Sequence, residues 1–237
     1  MRKKNIIDEI LSDSKKIPAL PKTVFEIINI DDNDYDSLKK VVNNIKKDQG
    51  LTAALLRFVN SPLYAVPTRI DSIDRCIVLL GLNEIKRVVF SISIKAFYEK
   101  DFYLYNESGL RLWMHSYNVA NISLRVGKSY KYLKNNSLFL AGLMHDIGKV
   151  FIVDYLYAPV KSYDDEKKQI GYTHMEIGAY ILKKWGVSED VVQAVKNHHH
   201  ITDSIFNKII YFANKLEKSD NVNNKIYDIF KEYMNKY

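Results

Sequence analysis

The sequence predicts an all-α protein, a two-lobe helical bundle, on three observations. Apolar residues recur at three- and four-residue steps along most of the 237-residue chain. The prolines Pro18, Pro21, Pro62 and Pro67 fall between the periodic stretches, where a residue poorly tolerated inside helices belongs. Capping residues stand at the ends of those stretches. With 47% hydrophobic content the chain can bury a sizeable core, as one large domain or two compact lobes.

The elements follow in order. Asp48 can cap a helix in which Leu51, Leu55, Phe58 and Val59 share a face, and Asn60-Ser61-Pro62 stops it. A second helix spans Ser72–Leu80 and closes at Gly81, and a third runs from Asn83 through Phe97. Residues 15–100 therefore read as an all-helical lobe. Asn106-Glu107-Ser108-Gly109 is the best internal boundary, giving an N-terminal lobe over 1–108, a second lobe over 109–214 and a helical tail over 215–237. In the second lobe, Leu112, His115, Val119 and Ile122 form one stripe of a helix from Gly109 to Val126. Leu138, Ala141, Gly142 and His145 lie on one side of the next, which turns Asp146 about 100° away from His145. Thr173-His174-Met175-Glu176 has the form of a capping box, which puts His174 in a first helical turn, where free amides suit an anion. That helix continues through Ile177, Ile181, Leu182 and Trp185 and ends at Gly186. Ser188 can cap another, on which Val191, Val192 and Val195 lead to His198 and His199 on the inward face and His200 on the outward one.

Composition narrows the function classes. Cys76 is the one cysteine, so no intrachain disulfide forms, and a reducing, cytoplasmic compartment is expected. The start turns acidic before any apolar run develops, unlike a signal peptide, and no stretch is read as approaching the roughly 20 apolar residues that span a bilayer. The net charge of +7 concentrates in Arg111, Arg125, Lys128, Lys131, Lys134 and Lys149, opposed within residues 111–149 by Asp146 alone. Lys128, Lys131 and Lys134 fit the solvated end of a helix. No RNA- or DNA-binding motif accompanies them, so a phosphate-bearing small molecule is a better candidate partner than nucleic acid.

All six histidines, His115, His145, His174, His198, His199 and His200, follow a run of 114 residues that has none. The centre of that set reads His145-Asp146-Ile147-Gly148-Lys149. Imidazole and carboxylate are the usual ligands of first-row divalent metals, so the clustering points to one shared pocket. A lone buried histidine such as His115 is more often a core residue than a ligand, and His198 and His199 can pack and hydrogen-bond without metal. Lys149 either neutralises a helix end or meets a phosphate.

The order of these residues resembles the HD superfamily of metal-dependent phosphohydrolases. The fuller resemblance is to the HDOD family, the HD-related output domains of bacterial signalling proteins. It rests on Leu20-Pro21, Asp48 to Leu56 followed by Asn60-Ser61-Pro62-Leu63-Tyr64, Leu79-Leu80-Gly81-Leu82, Trp113-Met114-His115-Ser116, and Leu140 through Gly148. It covers roughly residues 15–214 and makes the second lobe HD-like. It implies a metal set of His115, His145, Asp146, His198, His199 and Asn214, with Asp146, Lys149 and His174 as the groups that would act on a phosphoester. The implied cofactor is a divalent metal, one of Fe, Mn, Ni, Zn or Mg, or none.

Two departures bear on activity. Active HD enzymes complete the metal shell with an aspartate in an Ala-Asp-Lys/Arg-Leu context, where this chain has Ala213-Asn214-Lys215-Leu216. A neutral amide is a weaker ligand and leaves the ion's charge less compensated, so weak metal binding is expected. The Gly-Tyr-Pro run of cyclic-dinucleotide phosphodiesterases is replaced by Ile201-Thr202-Asp203. The resulting expectation is a regulatory signalling module that works through a protein partner, leaning away from an enzyme. The competing expectation is a metal-dependent phosphohydrolase.

Overall fold

The computed structural model describes residues 22–28, 30, 36–130, 133, 135–217 and 230. Leu20-Pro21, Lys131, Lys134 and most of the expected C-terminal tail lie outside them. The described residues are predominantly helical, with one short two-stranded hairpin, in agreement with the expected all-α class. They divide into two compact units between Phe97 and Tyr98, about ten residues before the boundary expected from sequence.

The first unit holds α1 (Lys22–Ile28), α2 (Ser37–Lys47), α3 (Gln49–Val59), α4 (Ile73–Leu80) and α5 (Leu82–Lys95). Helix α5 packs against all four others, and Ile45, Leu55, Val59, Ile85 and Val88 are fully buried among them. Asp48 caps α3 by accepting the Leu51 amide at 2.9 Å. Asn60 does more than end the helix. Its side-chain amide bonds the carbonyls of Leu56 and Ile70 and its oxygen accepts the Ile70 amide, which pins the Pro62–Pro67 loop closed. Gly81 joins α4 to α5 at φ +80°, a conformation that disfavours side chains with a Cβ.

The second unit opens with a short antiparallel hairpin, β1 (Asp101–Phe102) and β2 (Glu107–Ser108), turned by Asn106 at φ +53°. The buried Tyr98 and Phe102 rings of this hairpin region pack 6.1 Å apart, and the Tyr98 hydroxyl lies 3.4 Å from Ser116. That side of the boundary therefore belongs with the histidine-bearing unit. Then follow α6 (Gly109–Gly127), α7 (Asn135–Met144), α8 (Ile147–Ile152), α9 (Tyr163–Ile170), α10 (His174–Lys184), α11 (Glu189–Lys196) and α12 (Ile205–Glu217). Helix α6 lies along α7 and α12, α8 along α10, and α11 against α7, α10 and α12.

Two glycines let these helices come close. A Cβ at Gly142 would sit 2.6 Å from the Ala120 Cα, and one at Gly148 would sit 1.8 Å from the His174 carbonyl oxygen. Backbones meet at both crossings.

One expectation is corrected here. The run Asn136–Tyr155 has the length and apolar character of a membrane span, 20 residues at hydropathy 1.2. It is 78% buried inside the protein and is broken at His145–Asp146 between α7 and α8. Its apolarity is accounted for by core packing.

Candidate metal centre

The break between α7 and α8 makes the site. On a continuous helix, His145 and Asp146 would diverge; at this turn the His145 Nε2 lies 3.4 Å from the Asp146 Oδ2. Helix α6 delivers His115, whose Nε2 is 3.1 Å from that of His145. The first residue of α10 delivers His174, fixed by the expected capping box of Thr173 and Glu176. His198 and His199 follow the end of α11 in a tight turn rather than continuing its helix. The His174 Nε2 is 3.2 Å from that of His198 and 3.3 Å from that of His199. Five histidines from four parts of the chain thus converge on Asp146. His200, the sixth, is exposed.

The imidazoles are held from behind. His145 donates through Nδ1 to the Gly142 carbonyl at 2.8 Å, and His198 through Nδ1 to the Val195 carbonyl at 2.7 Å. The His174 Nδ1 meets the Glu166 carboxylate at 2.8 Å, and the His115 Nδ1 hydrogen-bonds Glu217. A histidine that donates from Nδ1 presents an unprotonated Nε2 when neutral, and such outer partners are what orient metal-binding histidines.

Two nitrogens bound to one ion at about 2.0–2.1 Å sit roughly 2.8–3.4 Å apart at right to tetrahedral angles. The observed spacings of 3.1, 3.2 and 3.3 Å match. Without a metal ion or a shared proton between them, paired nitrogen lone pairs at that distance repel.

The donor atoms form two groups that share one residue. His115, His145 and Asp146 make the first, and Asp146, His174, His198 and His199 the second, with the atoms of each within 4.8 Å of one another. Asp146 Oδ2 serves the first and Oδ1 faces the second, 3.3 Å from the His174 Nε2 and 3.5 Å from the His198 Nε2. Oδ1 is buried and makes no hydrogen bond among the described residues. The residues present therefore fit one or two divalent ions.

Charge is balanced tightly around the carboxylate. Burial opposes ionisation of Asp146, but Lys149 at 2.7 Å and the surrounding imidazoles outweigh it and hold its pKa well below the usual carboxylate range. Burial pushes His198 down to about 3 and also lowers His145 and His199, which keeps all three neutral near pH 7. His174 is the exception. Burial would lower it, but the adjacent carboxylates of Asp146 and Glu166 raise it.

A pH dependence follows for the metal-free protein. A histidine whose pKa falls on folding takes up its proton more readily in the unfolded chain, so stability drops as pH falls below about 6.5. His145, His198 and His199 act in that direction, for His198 down to about pH 3. His174 acts oppositely, adding stability below about 6.5 that is lost as pH rises through its raised pKa. With three groups against one, the melting temperature in chelator should be lower at pH 5 than at pH 7.5. An equal or higher value at pH 5 would contradict these assignments.

The remaining expected residues fall as follows. Lys149 is 15% exposed, paired with Asp146 and 5.6 Å from the centre of the Tyr105 ring. It is thus engaged inside the site rather than neutralising a helix end in solvent. The His174 amide donates to Glu166 at 2.7 Å and the Thr173 amide to Glu176 at 2.8 Å, so these groups are already satisfied and do not await an anion. Asn214 is buried on α12, and its Oδ1 has no hydrogen-bond partner among the described residues.

Sequence reasoning missed Glu166 and Glu217, the two carboxylates behind histidines, together with Tyr105 and Asn118. Tyr105 donates to Glu166 at 2.9 Å, and Asn118 donates to Glu217 at 3.1 Å. Glu217 stands three residues after Asn214, on the same helix face, and that spacing was the available signal. Glu166 lies in a polar helix and had none.

A family model described as the HDOD domain matches residues 17–201. Among solved structures, the fold is similar to an HDOD domain protein of Geobacter sulfurreducens, with a TM-score of 0.74 and 23% identity over 97% of this chain and 88% of that one. It is likewise similar to a candidate phosphohydrolase of Shewanella amazonensis, with a TM-score of 0.75 and 20% identity over 99% and 88%. At such identities the likeness shows the fold alone. Among curated proteins the chain is similar to an uncharacterised protein of Treponema pallidum, 23% identical over 201 residues. That match covers 78% of this chain and 38% of the relative, so the chain spans well under half of that protein's length.

Proposed function

This chain belongs to the HDOD family, and we propose that it is a regulatory module of a bacterial signalling system whose histidine pocket holds divalent metal while its output passes through contacts with a protein partner. The observation that carries this reading is the convergence of five imidazole Nε2 atoms on Asp146, each half of the site backed by a carboxylate. Asp146 is 2% exposed, and His145 and His198 are fully buried. An ion held so deep suits a structural or sensing role. Asn214 and the absence of a Gly-Tyr-Pro run after the paired histidines argue in the same direction.

A second reading is a metal-dependent phosphohydrolase, favoured by one observation. Lys149 and His199 sit at the solvent edge of the site, next to Asp146 and His174. A bound divalent ion would supply an activated water and polarise a phosphoester. Lys149 would then steady phosphate oxygens, and Asp146 would hold its place in both donor groups.

The two readings separate in one assay. Protein reconstituted with Mn2+, Fe2+ or Zn2+ is incubated with cyclic dinucleotides and with bis(p-nitrophenyl) phosphate. The regulatory reading expects no turnover above that of the Asp146→Ala variant. Hydrolysis that disappears in both His145→Ala and Asp146→Ala would establish the phosphohydrolase instead.

A further inference from the structure

We propose that Glu217 acts from behind His115 as a substitute for the negative charge that Asn214 lacks, making it a positioning residue for metal in the first donor group. The inference rests on the metal-holding reading above and concerns a residue outside both donor groups.

The charge in that group is short. His115 and His145 are neutral ligands, and Asp146 supplies one carboxylate shared with the second group and already opposed by Lys149 at 2.7 Å. Asn214, the position from which a further carboxylate is expected, offers an amide oxygen with no hydrogen-bond partner. One turn along the same face of α12, Glu217 meets the His115 Nδ1 with Oε2 and receives the Asn118 side-chain amide on Oε1 at 3.1 Å. Its side chain is 18% exposed and that of His115 12%, so solvent screens this pair little. A carboxylate that accepts from Nδ1 fixes the ring and raises the basicity of the opposite nitrogen. Here that nitrogen is the Nε2 that faces His145. The negative charge has moved from the ligand shell to the atom behind it.

The test is a Co2+ titration of the full chain, read by visible absorption, on the wild type, Glu217→Gln, Asn214→Asp and the double variant. Glu217→Gln should weaken Co2+ binding about 10- to 100-fold, the usual loss when an outer partner of a ligand is removed. Adding Asn214→Asp to Glu217→Gln should recover most of that loss, while Asn214→Asp alone should change affinity much less. The metal-free melting temperature of each variant is measured beside it. If Glu217→Gln does not fold, the same cycle is run on Asn118→Ala, which removes the other anchor of the carboxylate and should weaken binding in the same direction. Wild-type affinity in Glu217→Gln would overturn the inference and leave the metal reading standing. A loss that Asn214→Asp does not recover would make Glu217 a structural brace and overturn it equally. A wild-type chain that binds no Co2+ would overturn the metal reading and, with it, the role assigned to Glu217.

Discussion

Asp146→Ala is expected to abolish metal binding in both donor groups at once. Asp146 is the one residue common to the two, with Oδ2 toward His145 and Oδ1 toward His174 and His198. Its removal also leaves Lys149 beside imidazoles with no anion between them. The loss should exceed the roughly 10- to 100-fold that follows deletion of an outer partner, because a shared ligand and the charge of the site vanish together. Thermal unfolding with and without metal is the practical measurement. Metal that binds only the folded state raises the melting temperature, by an amount that grows with the logarithm of free metal over its Kd. The wild type should show that rise with Mn2+ or Zn2+, and Asp146→Ala should show none. A preserved rise would mean that the ion sits elsewhere.

Gly148→Ala is expected to have the largest effect on folding. The added Cβ would lie 1.8 Å from the His174 carbonyl oxygen, 2.6 Å from its carbon and 2.9 Å from the Gly178 nitrogen. All three are backbone atoms, so no side chain can swing away, and α8 and α10 must separate. Overpacking of a rigid crossing typically costs 1–3 kcal/mol and occasionally more, and about 3 kcal/mol or more is expected here. For a chain of this size that is a fall of roughly 10 °C in melting temperature. The same displacement would carry His174 away from Asp146, so the variant should lose metal response along with stability. A Gly148→Ala protein that melts within about 2 °C of the wild type would refute the close approach.

What the sequence disclosed was local, and what it hid was long-range. Asp48 and Thr173 cap helices as expected, since a cap is written in residues three apart. The order of the histidines marked the site for the same reason, each sitting on or beside a legible helix. The turn at His145–Asp146 was hidden because apolar residues continue on both sides of it, from Leu138 through Ile152. That turn is what brings the two side chains to one point. Glu217 reaches His115 across 102 residues of sequence, and a glutamate near a helix end reads as a solvated charge until the fold closes over it. The boundary moved for a related reason. Tyr98 and Phe102 belong with the second unit through contacts that no spacing announces.

Elemental analysis answers directly whether the converged imidazoles hold metal. The chain is purified without chelator, equilibrated with a small excess of Mn2+, Fe2+ or Zn2+ and desalted, and the bound metal is counted per folded chain. One to two equivalents in the wild type and close to none in Asp146→Ala is the predicted result. A folded wild-type chain that retains no more of any of these metals than Asp146→Ala does would contradict it.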